Sequence, residues 1–411
     1  NIEDSMNKTS PYIENILNNK KGVSSWSAVL AMSLGAFALV SSEFMPVSLL
    51  TPIAKTLQIS EGQAGQAISI SGVFAVLTSL LMPSFTKGFN RKSLLLGLTA
   101  MMIFSGLVVS FAPNYLIFMV GRALIGVVIG GFWSMSAAIA MRLVEKHHVP
   151  RALAIFNGGN ALATVVAAPA GSFLGGLIGW RGAFFCIIPI ALAVFIWLIF
   201  SLPSLPDENK AERGTVLSIL KYPVVATGMM AVSLFFMGQF TLFTYVRPFL
   251  ETITHTDIST LSLILLMMGL AGFIGTILIG TLLKRGTYPI LIGTPLFMSV
   301  LAILLILFGK SAFFAAAILM LWGFFATSAP VGWWTWLAQT LPQKAEVGGG
   351  LMVAVIQLAI TLGATCGGVI FDTKGYQATF ITSAFILVIA SLFAFLTAGI
   401  GRKDKAALMK P

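Results

Sequence analysis

Stretches of near-continuous apolar residues alternate with short polar breaks along the whole chain. They cover about 26–50, 62–84, 93–112, 115–142, 152–178, 182–202, 223–249, 259–283, 288–309, 312–341, 346–371 and 377–399. Each is long enough, at roughly 20 residues, to cross a hydrocarbon core as a helix. The apolar residues run on without the two-residue alternation of a barrel strand. Within lipid only helices and closed barrels satisfy their own backbone, so the pattern predicts an all-α membrane protein of twelve transmembrane helices.

The polar breaks orient this arrangement. An even number of spans puts both termini on one side. If that side is cytoplasmic, nineteen of the 25 lysines and arginines fall in inner segments and five in outer loops. Basic residues mark the cytoplasmic loops, so both termini are expected inside. Residues 1–25 are polar, carry no signal-peptide pattern and read as a cytoplasmic tail; residues 401–411 read as a second one. The charged connection 203–221 divides the chain into two six-helix bundles, 26–202 and 222–400. Faint internal repetition agrees: Gly175-Gly176 echoes Gly367-Gly368, Arg91-Lys92 echoes Lys284-Arg285, and Gly131-Phe132-Trp133 echoes Gly332-Trp333-Trp334. Two pseudo-symmetric halves with polar groups at membrane depth suit a transporter whose site lies between the repeats.

Composition narrows the functional classes. The chain has 411 residues, of which 57% are hydrophobic and 9% charged, with a mean hydropathy of +0.94; soluble domains carry about 25% charged residues. The net charge of +11 does not point to nucleic acid, because the cations sit in short loops between spans. Cys186 and Cys366 fall inside spans, and His147, His148 and His255 lie in loops without metal-ligand spacing. Neither a metal site nor a nucleophile–base set is visible, so no enzyme, metal or organic cofactor is expected.

Segment 1 holds one ionisable residue, Glu43. A carboxyl at membrane depth is costly and marks a functional site by default. Arg122, deep in segment 4, is the natural counter-charge. Each lies seven residues from the outer end of its segment, roughly 10 Å in. The pair reads either as a static buried bridge or as a proton site that changes state as a cavity opens to each side. In segment 4, Arg122, Gly126 and Gly130 share a helix face, with the glycines suited to close helix packing.

These residues resemble a known family. The chain is similar over essentially its whole length to the twelve-helix drug:proton antiporter branch of the major facilitator superfamily. Arg122 with Gly126 matches its helix-4 motif, which implies a part in proton coupling driven by the proton gradient. Pro169, Gly171, Gly175 and Gly176 match its helix-5 antiporter motif, with Ala168 in place of the usual glycine, and Trp180-Arg181 also fits. The helix 2–3 loop departs: Lys87 stands where the family has an acid and Asn90 where it has a glycine, leaving Arg91 and Lys92 as the expected cytoplasmic gate. Within the branch, Glu43 to Pro52, Gly131 to Ser136, Ser201 to Pro206, Phe243 to Pro248 and Pro330 to Trp333 resemble bacterial purine ribonucleoside efflux transporters, with sugar and multidrug antiporters as alternatives. The resemblance implies a monomer in the bacterial inner membrane that exports a small solute against protons.

A purine offers a flat apolar face and a polar edge, so it calls for aromatic rings and a few amides or hydroxyls. Asn157, Asn160, Gln239, Phe240, Phe243, Tyr245, Trp322, Trp333, Gln357 and Thr361 supply both at membrane depth. Arg247, at the outer end of segment 7, reads as a loop anchor.

Overall fold

The computed structural model describes residues 11–85, 88–145, 148–206, 216–283, 286–341 and 345–408. Among them all regular structure is helical: α1 (Pro11–Leu57), α2 (Glu61–Phe85), α3 (Arg91–Ser110), α4 (Tyr115–Arg142), α5 (Val149–Phe185), α6 (Ile187–Ser201), a 3-10 turn (Val216–Lys221), α7 (Pro223–Phe243), α8 (Val246–Thr252), α9 (Ile258–Leu283), α10 (Thr287–Phe308), α11 (Ala312–Thr340) and α12 (Ala345–Leu408). Local chemistry sets several boundaries. Asn90 and Asn114 cap α3 and α4, their side chains accepting the amides of Lys92 and Ile117.

Ten helices among the described residues are long and apolar enough to cross a membrane. The sequence pattern predicts twelve segments, and the difference lies at two places where apolar helix runs on. The spans Arg151–Ser201 and Gly348–Gly401 hold 51 and 54 residues, roughly 75–80 Å of helix against a hydrocarbon core of about 30 Å. Each contains one non-helical residue, Gly179 and Gly375, both at φ 77, a conformation glycine adopts without a Cβ clash. These glycines sit in the breaks expected between segments 5 and 6 and between 11 and 12. Three boundaries differ from expectation. The first helix reaches back to Pro11, the last continues to Leu408, and segment 7 breaks at Thr244–Tyr245 into α7 and α8. Residues 207–215 of the connection lie outside the described residues.

Apolar side chains gather in two cores. One is built from α1 to α6 and the other from α7 to α12. The halves interlock at their junction: Tyr245 packs in the first core, while Val47 and Ile68 pack in the second. Along this junction α2 lies against α12. A Cβ at Gly72 would overlap the Thr361 hydroxyl and stand 3.1 Å from the Gln357 carbonyl, so no larger residue permits this approach. Gly72→Leu is therefore expected to push α2 and α12 apart; lower thermal stability in detergent, with helix content retained, is the measurement that checks it.

Candidate functional site between the two halves

The site is organised by prolines in α1. Proline has no N–H and its ring displaces the carbonyl four residues earlier. Pro46 thus leaves the Ser42 carbonyl without its helical donor, and Pro52 does the same to Ser48. Arg122, fully buried, meets the first. Its Nη1 donates to the Ser42 carbonyl at 2.6 Å, Nη2 to the Glu43 carbonyl at 2.9 Å and the Ser71 hydroxyl at 3.3 Å, and Nε to the Ala67 carbonyl at 3.1 Å. A rigid guanidinium fork serves several acceptors at once. One and two turns along α4, Gly126 and Gly130 lie against the carbonyls of Ser71 and Ala75, so the Arg122–Gly126–Gly130 face runs along α2 at matching four-residue steps.

Arg122 therefore holds the Glu43 backbone, and no ion pair joins it to the Glu43 carboxylate. That carboxylate turns to the other half, where Gln357 Nε2 of α12 donates to its Oε1 at 3.1 Å. Both residues are buried. Thr361, one turn on, donates to the Gln357 carbonyl at 2.9 Å, and its own carbonyl accepts from Ser69 of α2 at 3.3 Å. Further along, Thr365 bonds Gln66 and Ser69, the Tyr245 hydroxyl donates to the Ala364 carbonyl, and Asp372 accepts from the Ser60 hydroxyl and the Gly62 amide. These bonds form a polar ladder between α2 and the first part of α12, with Glu43–Gln357 at its foot.

Rings gather beside that foot. Phe44 lies 5.6 Å from Phe240, which lies 5.7 Å from Phe243. The side-chain oxygen of neighbouring Gln239 is buried without a hydrogen-bond partner. Phe240, Phe243, Gln357 and Thr361 thus belong to one junction with Glu43. The other sequence candidates make different contacts. Asn157 is exposed and bonds the Leu153 carbonyl of its own helix, and half-buried Asn160 lends its carbonyl to Thr164. Tyr245 stacks on Phe371 within the ladder. Trp322 and Trp333 are buried in the second core, Trp333 packed edge-on to Trp336.

The antiporter-motif residues line the contact of α5 with its neighbours: Gly171 lies against Ser48, Gly175 against Leu49 and Gly176 against Ile258 of α9, all following Pro169 within the helix. Of the gate loop, Lys87 lies outside the described residues. The Arg91 amide and the Lys92 ammonium bond the carbonyls of Leu205 and Ile199 in the same half.

Arg247, expected from the sequence to be a loop anchor, lies in α8. It is buried, donates from Nη1 to the Ser48 carbonyl and, at 3.4 Å, to the Ser172 hydroxyl of α5, and pairs through Nε with Glu251 at 2.8 Å. The available signal was Pro52, which orphans that carbonyl.

Comparison with known proteins agrees with this architecture. Residues 32–364 match the family described as Major Facilitator Superfamily. The chain is 58% identical over 384 residues to the Transcription regulatory protein OpdE of Pseudomonas aeruginosa, covering 92% of this chain and 96% of that one. It is 40% identical over 367 residues to the Purine ribonucleoside efflux pump NepI of Salmonella typhimurium, covering 89% and 92%. Among solved structures, a bacterial homolog to the human lysosomal transporter Spinster superposes with TM-score 0.75 at 14% identity, covering 97% of this chain and 99% of that one. A D-xylose-proton symporter superposes with TM-score 0.69 at 18% identity, covering 91% and 96%.

Proposed function

The chain belongs to the major facilitator superfamily, and from that premise we propose that it exports a small organic solute, a purine ribonucleoside or analogue, in exchange for protons by alternating access. It is a multi-pass membrane transporter. In this reading it folds back at Gly179 and Gly375 into twelve crossings, keeps both termini cytoplasmic and works as a monomer in a bacterial inner membrane.

One observation carries the proposal: the Glu43 carboxylate is buried at the junction and bonded to Gln357 of the opposite half. A proton there changes what the two halves hold between them, which is the differential interaction alternation requires. With the basic loops inside, the α2–α12 ladder joins the halves toward the outer face. The Phe44–Phe240–Phe243 rings and the unpartnered Gln239 oxygen suit a purine's face and edge, and the 40% identical relative bears the matching name. Purified protein in liposomes with an imposed pH gradient is expected to move labelled purine ribonucleosides. Movement of sugars or lipophilic cations in their place would overturn the cargo assignment.

The name of the Pseudomonas relative raises an effect on transcription. The chain's cations lie in the loops and tails that flank the apolar segments, where membrane topology alone accounts for them, so they do not by themselves call for DNA binding. A carrier that sets the cytoplasmic level of an inducer reaches transcription without touching DNA.

A further inference from the structure

Two α1 carbonyls are freed by proline, and the two arginines that meet them come from opposite halves. Arg122 binds the Ser42 carbonyl from α4, within the half that contains α1. Arg247 binds the Ser48 carbonyl from α8, across the junction, and reaches Ser172 of α5 from the same position. The first contact can persist through any rocking of one half against the other. The second has to break whenever the halves part at this end.

A related arrangement occurs on α5. Pro169 frees the carbonyl of Val165, which faces Gly269 of α9, where a Cβ would stand 2.8 Å from that oxygen. Besides α2, which packs on α12, the helices α1 and α5 thus each present a proline-freed carbonyl to the second half.

We propose that Arg247 is a positioning residue that locks the outer seal, with the Pro52-freed carbonyl of Ser48 as its receptor. This goes beyond the proposed export and holds for any cargo, taking from that reading only which face is outer. Burial sharpens the contact, because a charge-assisted bond to an otherwise orphaned carbonyl has no competing water. Glu251, paired to Nε, orients the guanidinium and offsets its charge.

The test places a thiol beside the lock. Thr51 lies one turn beyond Val47, which packs in the second core, and its hydroxyl is buried without a partner. Thr51→Cys therefore removes no hydrogen bond and faces the junction. With Cys186 and Cys366 replaced by Ala, its labelling by a membrane-impermeant maleimide is measured in right-side-out vesicles. Arg247→Gln is expected to raise the labelling rate about tenfold or more, the scale of one lost charged hydrogen bond. Pro52→Ala, which returns a helical amide to the Ser48 carbonyl and removes no side-chain donor, is expected to raise it less. Arg181→Gln is the control, since Arg181 binds the Ala112 carbonyl within one half, and its rate should match the parent. Equal rates in the parent and Arg247→Gln, at equal folded yield by gel filtration, overturn the lock. Should Arg247→Gln fail to fold, an unchanged rate in Pro52→Ala overturns it. A rise confined to inverted vesicles also does.

Discussion

Arg122→Met is expected to cost the protein much of its stability, not transport alone. Methionine fills much of the volume but donates nothing, so the carbonyls of Ser42, Glu43 and Ala67 lose the guanidinium. A buried acceptor stripped of its donor costs about 1–3 kcal/mol, and protein at membrane depth has little water to take over. Against a typical total stability of about 5–15 kcal/mol, that cost at the Ser42 carbonyl, which has no helical amide, is already a sizeable fraction, while the Ala67 carbonyl keeps the Ser71 hydroxyl. Thermal unfolding in detergent should show a clear drop, with Arg122→Lys between: an ammonium is a point donor and cannot span carbonyls on two helices. Pro46→Ala supplies the discriminating arm. It restores an amide to the Ser42 carbonyl, so it should recover part of the loss in the Arg122→Met background, with a coupling of about 0.5–3 kcal/mol. Strict additivity of the two substitutions would show that Arg122 does not answer the proline.

This arrangement also explains how far the residues could be read in advance. Hydrophobic length placed the helices, because lipid imposes it, and the breaks near 179 and 375 coincide with glycines at positive φ. Counting residues from the segment ends placed Glu43 and Arg122 at one depth. Depth and helix face do not say which atom a long side chain reaches. A guanidinium beside an acid can bind either its carboxylate or the backbone behind it, and Pro46 tips the choice by leaving a carbonyl open. Pro52 carries the same information about Arg247, legible from the sequence once each proline is read as a missing donor at the residue four before it. For the tryptophans the ambiguity is different. A ring at membrane depth can face lipid, core or cavity, and composition alone does not separate these; Trp322 and Trp333 went to the core. Gln357, expected as a cargo contact, also bonds Glu43, a pairing across the halves that spacing within one segment does not show.

That tie makes Glu43→Gln the variant with the sharpest functional expectation. Glutamine keeps the shape and can still bond Gln357, but it carries no titratable proton. With the membrane voltage clamped to zero and one proton exchanged per neutral cargo, a pH step of one unit sustains about a tenfold cargo ratio, the 1.36 kcal/mol of one pH unit. Liposomes carrying the parent protein should reach that scale. Those carrying Glu43→Gln should equilibrate to a ratio of one, while exchange of labelled for unlabelled cargo continues, because binding and rocking need no net proton. A sustained ratio in Glu43→Gln would remove this carboxyl from the coupling. Gln357 tests whether the two residues act as a unit. An amide can donate to a carboxylate through its nitrogen and accept from a carboxylic acid through its oxygen, so Gln357 can hold Glu43 in both states. If its role runs through Glu43, Gln357→Leu alone should lower the sustained cargo ratio, and added to Glu43→Gln it should leave the remaining exchange rate unchanged. An additional loss of exchange rate in the double variant would instead give Gln357 a contact of its own with the cargo.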